Sequence, residues 1–210
     1  MAASQRQVGP QIAPDGSLVN AAGDRYGATL IQNLGGIYAE LARRNQLFMF
    51  STPTAAALLV SATTGNCPTI WNPPASGKIF YPLRLAITWL TGATTVGSVL
   101  WTVTEDTGAT IATASRILTW TDGTIKNAMV GGTAISSMRF APAVCTFTTA
   151  PAFLASTGIN IETTNQVHNV NEDYPGCIGI MPGNAISLNY SVATSTSTHY
   201  VTIWGAEVPI

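Results

Sequence analysis

The sequence predicts an all-β fold: an antiparallel, jelly-roll-like β-sandwich preceded by an extended N-terminal arm and one short helix. Three observations carry that reading. Apolar and polar residues alternate with a period of two in four separate runs, as half-buried antiparallel strands require. Clusters of Gly, Pro and Asn punctuate those runs as turns. Nowhere do helical and strand patterns alternate, which disfavours a doubly wound α/β fold. The 210 residues divide into an arm with its helix, 1–45, and a sandwich domain, 46–210.

Residues 1–33 are rich in Gly, Pro, Gln and Asn with no sustained apolar period, and they read as an arm ordered by contact with something else. In "GGIYAELARRNQLFMF" the apolar residues Ile37, Tyr38 and Leu41 fall at helical spacing, and Glu40 precedes Arg44 by four. A helix of two or three turns is expected there. Beyond residue 46 the texture becomes β-branched and aromatic. Leu83, Leu85, Ile87 and Trp89 alternate with Arg84, Ala86 and Thr88, and Val99, Trp101 and Val103 with Leu100, Thr102 and Thr104. Ile186, Leu188, Tyr190 and Val192 alternate with Ser187, Asn189 and Ser191; Val201 and Ile203 stand against Thr202 and Trp204. Weaker strands are expected at 56–62, 109–118, 143–148 and 176–181, for eight to ten in all. The stretches 121–140 and 163–177 read as loops.

Composition narrows the function. Charged residues make up 9 % of the chain, against roughly 25 % in an average soluble domain. Thr, Ser, Asn and Gly take their place, and the net charge is −1. Such a surface suits a protein packed against other subunits, because interface cores are depleted of charge. A large aromatic on an outward face, Trp204, points the same way. Nine basic residues balanced by ten acidic ones argue against nucleic acid, which needs clustered cations. The longest apolar runs, such as "AAALLV", are too short for a membrane helix, and the N-terminus shows no apolar core of a signal peptide.

No catalytic constellation emerges. "NPPASGKI" (72–79) is not a phosphate loop. Asn72 stands where the first glycine belongs, Pro73 and Pro74 remove amides from the nest, and a strand rather than a helix follows. It reads as a turn launching a strand. Cys67, Cys145 and Cys177 have unrelated spacings, so they read as reduced cysteines packed as small hydrophobes. His168 and His199, the two histidines, match no metal-ligand spacing and are expected at a surface or interface. Glu105–Asp106 and Glu172–Asp173 both read as turn residues rather than as carboxylates facing each other across a cleft. No metal or cofactor is expected.

The order of features resembles a group of small tailed-bacteriophage virion structural proteins. The likeness is carried by a Gly-rich arm leading into "GIYAE" (36–40), the basic "ARRNQLF" (42–48), the "NPPASGK" turn into a long strand, and a C-terminal strand pair within "MPGNAISLNYSVATSTSTHYVTIWGAEVPI". The resemblance implies a non-enzymatic jelly-roll subunit, a homotrimer, on the virion. Its role would be a head cement or decoration protein bound to the major capsid protein or other virion proteins. The alternative it implies is a tail-fibre or receptor-binding module, with glycan as the partner and Tyr174 in the 163–177 loop as a stacking platform. Interface residues are expected at Tyr38, Arg43, Arg44 and Trp204.

Overall fold

The computed structural model describes residues 38–60, 64–66, 68–91, 96–104, 117–120, 123–142, 144–147, 150–161, 169–174, 176–192 and 198–210. The arm at 1–33, Cys67, Glu105–Asp106 and His168 lie outside these. The chain divides into two units, Met1–Glu40 and Leu41–Ile210, and every described strand belongs to the second.

The predicted helix is present but shorter than its pattern suggests: α1 spans Ala39–Arg43. Asn45 ends it by adopting a left-handed φ of 56°. Asn45 N then donates to Ala42 O and Gln46 N to Leu41 O, both at 2.9 Å. This is the paired arrangement that satisfies a helix's last carbonyls, and it turns the chain directly into the first strand.

Thirteen strands follow among the described residues: β1 Leu47–Ser51, β2 Thr64–Asn66, β3 Thr69–Trp71, β4 Lys78–Thr91, β5 Gly97–Thr104, β6 Ile117–Trp120, β7 Ile125–Asn127, β8 Arg139–Ala141, β9 Val144–Phe147, β10 Ala152–Ile161, β11 Asn169–Asp173, β12 Ala185–Tyr190 and β13 Thr198–Pro209. Sheet I has the order β11-β4-β13-β1-β7, sheet II β10-β5-β12-β3-β8, and a small sheet III β2-β9-β6. All pairings are antiparallel. The chain changes sheet between every two successive described strands, in the manner of a jelly roll.

Sheets I and II pack face to face. The four alternating runs supply the core on the predicted sides: Leu85, Ile87, Trp89, Val201 and Ile203 from sheet I, Val99, Trp101, Ile186, Leu188 and Tyr190 from sheet II. Phe50 sits between them, 5.3 Å from Phe80 and 5.9 Å from Phe140, edge-on to both. Edge-to-face contacts of this kind add to the burial energy of each ring.

Several expectations are corrected. Residues 56–60 and 176–181 hold no strand among the described residues, only single bridges at Ala56↔His199 and Phe80↔Ile180. The 121–140 stretch contains β7 and the start of β8, and the Asn-rich 163–177 stretch contains β11. Asparagines at 169 and 171 are tolerated there because β11 is an edge strand with those side chains exposed. Glu172–Asp173 therefore ends a strand instead of forming a turn. The outer face of sheet II was expected to be half-solvated but is roofed. β9 sets Cys145 and Phe147 on Trp71, Ala141 and Ala185, which buries Thr69, Thr102, Ser187 and Asn189 as well.

Pro82 lies within β4, the second strand of sheet I, where a missing N–H is ordinarily excluded. It is accommodated by a bulge: the β4–β13 register jumps from Arg84↔Trp204 to Pro82↔Gly205, so that Leu83 is an extra residue of β4 between two consecutive residues of β13. Beyond the bulge the Phe80 ring lies across Gly205, where a Cβ would overlap its edge atoms. Gly205→Ala should therefore cost about 1–3 kcal/mol through overpacking. The check is a urea midpoint that falls while the slope of the transition is unchanged.

Candidate functional site

Four groups of polar or aromatic residues stand out, and three of them hold the fold together.

The first is the predicted turn at 72–78. Gly77 has a φ of 63°, Ser76 N donates to Pro73 O, and β4 begins at Lys78. Asn72 is buried, with Nδ2 donating to Lys78 O and Ile180 O, both at 2.8 Å. The lysine of the apparent phosphate motif is committed elsewhere. Its Nζ lies 2.9 Å from Oε2 of Glu207, whose side chain is fully buried. Ser137 N donates to the same carboxylate at 3.0 and 3.1 Å, and the Ser136 hydroxyl also donates to it. Because Glu207 is on β13 of sheet I and Ser136–Ser137 lead into β8 of sheet II, this carboxylate fastens the two sheets at one end.

His199 is the second. It was expected at a surface or interface and is buried within the chain at the start of β13. Its Nδ1 pairs with Ala56 O at 3.2 Å, and its ring stands edge-on to Trp89 at 5.5 Å. Burial pushes its pKa down to about 4, against a smaller upward pull from the Ala56 carbonyl. His199 therefore holds the 52–60 segment to sheet I. That segment then crosses to sheet II, where Leu59 O accepts from Tyr190 N and Asn189 Nδ2.

Tyr174 is the third. The exposed stacking platform expected of it is not formed. Its ring packs edge-on against Trp101 of the core at 5.6 Å, and burial pushes its phenol up. The sequence signal was ambiguous, because an aromatic beside Pro-Gly serves packing as readily as binding.

The fourth group is the outer face of sheet I. The registers align Asp173, Arg84, Trp204, Met49 and Lys126 in one row across all five strands. Trp204 is half-buried, with the Arg84 guanidinium 5.6 Å from its ring centroid. Arg84 Nε lies 3.8 Å from Asp173 Oδ1. Of the other expected interface residues, Arg43 and Arg44 are exposed at the end of α1, and Tyr38 is half-buried before it. These three sit on the segment preceding β1. Sequence reasoning missed Arg84 and Asp173 as neighbours of Trp204, since that row exists only once the registers are known.

Among the described residues no three His, Cys, Asp or Glu side chains group as metal ligands. No helix among the described residues is long and apolar enough to cross a membrane. Cys145 is buried, as expected of a small hydrophobe, but Cys177 is exposed.

Two outcomes are expected. Glu207→Ala strands the Lys78 ammonium and the Ser137 amide, and should cost about 3 kcal/mol, read by chemical denaturation at pH 7. A histidine kept neutral by folding binds its proton more readily once unfolded. Stability contributed by His199 is therefore full above pH 6.5 and drains away as pH falls towards 4, by about 3 kcal/mol in all. The difference in unfolding free energy between the wild type and His199→Phe should follow that curve.

Compared with known proteins, the chain matches no family model, no curated protein and no solved structure.

Proposed function

We propose that the chain is a non-enzymatic structural subunit that acts by inter-subunit contact, as a capsid cement or decoration protein on a bacteriophage head. The observation that carries the assembly reading is the pairing of a charge-poor surface with apolar side chains held outward on ordered elements. Val130 is 94 % exposed, Ile135 88 % and Phe153 64 %. Val130 and Ile135 flank a loop tied down by hydrogen bonds. Met129 N donates to Asn127 Oδ1 at 2.8 Å, Gly132 N donates to Met129 O at 2.8 Å, and Ser136–Ser137 hold Glu207. Apolar groups fixed in place and turned to solvent mark contact surfaces.

Among the described residues, Lys78 and the buried Glu207 form a clamp between the sheets, and His199 joins two segments, so these reactive groups serve the fold. The virion setting comes from the resemblance in the sequence, and the head is preferred to the tail on one ground. The adhesin alternative drew on Tyr174 as a glycan platform, and that ring faces the core.

Gold-labelled antibody against the chain, applied to purified particles, should decorate the head surface. Decoration confined to the tail would favour the receptor-binding alternative, and label on neither would overturn both. Deleting residues 1–33 should abolish attachment while a cooperative unfolding transition persists. Attachment retained by the shortened chain would remove the arm from the mechanism.

A further inference from the structure

We infer that the outer face of sheet I is a twofold contact surface for a second copy of this chain. The inference rests on the assembly reading above and specifies where and how two copies meet. The two outer faces of the sandwich differ: sheet III roofs sheet II and buries its outward Thr69, Ser187 and Asn189, whereas the outward Arg84, Ala86, Thr88, Tyr200, Thr202 and Trp204 of sheet I are half-buried or exposed. That face spans five strands. Its middle rows carry Ala86, Thr88, Ser51 and Thr202 without a charge. Tyr200 and Leu90 project from it, 41 % and 47 % exposed. Uncharged, partly apolar rows fit the interior of a protein contact; the charges of these strands' outward positions, Asp173, Arg84 and Lys126, fall together in the Trp204 row.

The charges at its margins select the partner. Asp173 lies on the β11 edge and Lys126 on the β7 edge, in the same row and each two strands from β13. A twofold axis parallel to the strands and passing over β13 lays Trp204 on Trp204 of the second copy. The same rotation brings each Asp173 over the other copy's Lys126. Sheets stacked face to face lie about 10 Å apart, a gap that a lysine and an aspartate side chain span together. Arg84, between Asp173 and Trp204, already holds the carboxylate from within its own sheet.

A sugar fits this face less well. One side of the Trp204 ring is taken by Arg84. Tyr200 is four residues away along the strand, about 14 Å, too far to share a ring with it. The twofold arrangement also departs from the threefold one that the sequence resemblance implies, because an isologous contact closes at two copies.

The test is the mass of the full-length protein in solution, by light scattering at tens of micromolar. The wild type should have twice the chain mass. Lys126→Asp places like charges at both margins of the pair, as does Asp173→Lys, and each alone should give the single-chain mass while still unfolding in one cooperative transition, at a temperature lowered by the loss of association. An equimolar mixture of the two variants restores opposite charges at both margins and should recover the doubled mass. A wild type that stays single, a threefold mass, or a mixture that stays single would overturn the contact. So would a monomer that binds immobilised glycans and loses that binding on Tyr200→Ala. Particle labelling reads the underlying assembly role separately: a monomer that decorates heads would overturn this contact alone, and a dimer that decorates nothing would overturn the assembly role alone.

Discussion

A strand with a strict period of two cannot present Phe80 and Leu85 to the same core, because they are an odd number of residues apart. Both are nonetheless fully buried. The bulge at Leu83 resolves the conflict by inserting one residue and switching the strand's parity. Much else hangs on that switch. It admits Pro82 into an interior strand, swings the Phe80 ring over Gly205, and lets the same ring meet Phe50. It also leaves β13 in register through Glu207, directly opposite Phe80, where the carboxylate reaches the residues entering sheet II. The spine of the sandwich is thus one irregularity and the two residues, one large and one minimal, that fit around it.

The scarcity of charge takes on meaning in that setting. With nine cations and ten anions in the chain, those seen in the sandwich serve largely as fasteners. Lys78 and Glu207 close one end, Arg84 braces Trp204, and Arg139 lies 5.4 Å from the Trp71 ring centroid. Neutral groups do similar work at other points. Asn72 joins a turn to two carbonyls, Thr69 and Ser187 share a 2.8 Å hydrogen bond under sheet III, and His199 is kept uncharged to hold its segment. Little is left to repel another surface, and that favours association over isolation.

The fold class was legible because four runs keep their period where one face is buried, as at Leu85–Ile87–Trp89 and Ile186–Leu188–Tyr190. The short strands β3, β7 and β8 were not, since three residues are too few to show a period. β11 was hidden because its pattern is that of a polar edge, rich in Asn and acid, which reads as loop. The helix was overestimated because apolar spacing says nothing of the left-handed turn at Asn45. At the candidate contact, Trp204 stood out as a large aromatic among outward positions. Arg84, Asp173 and Lys126 come from three other strands, and only pairing places them in its row.

The pairing of β4 with β13 has a consequence for how the molecule forms. These partners are separated by more than a hundred residues, and β1 is more remote still from the same strand. Closing such long loops carries an entropic penalty that local contacts do not, and topologies dominated by distant pairings fold slowly. During synthesis the pairs β1–β7 and β4–β11 emerge with no central strand to join them, and Phe50, Leu85 and Ile87 await β13. The nascent chain must therefore remain open, its apolar interior unsheltered, until β13 clears the ribosome and draws sheet I together.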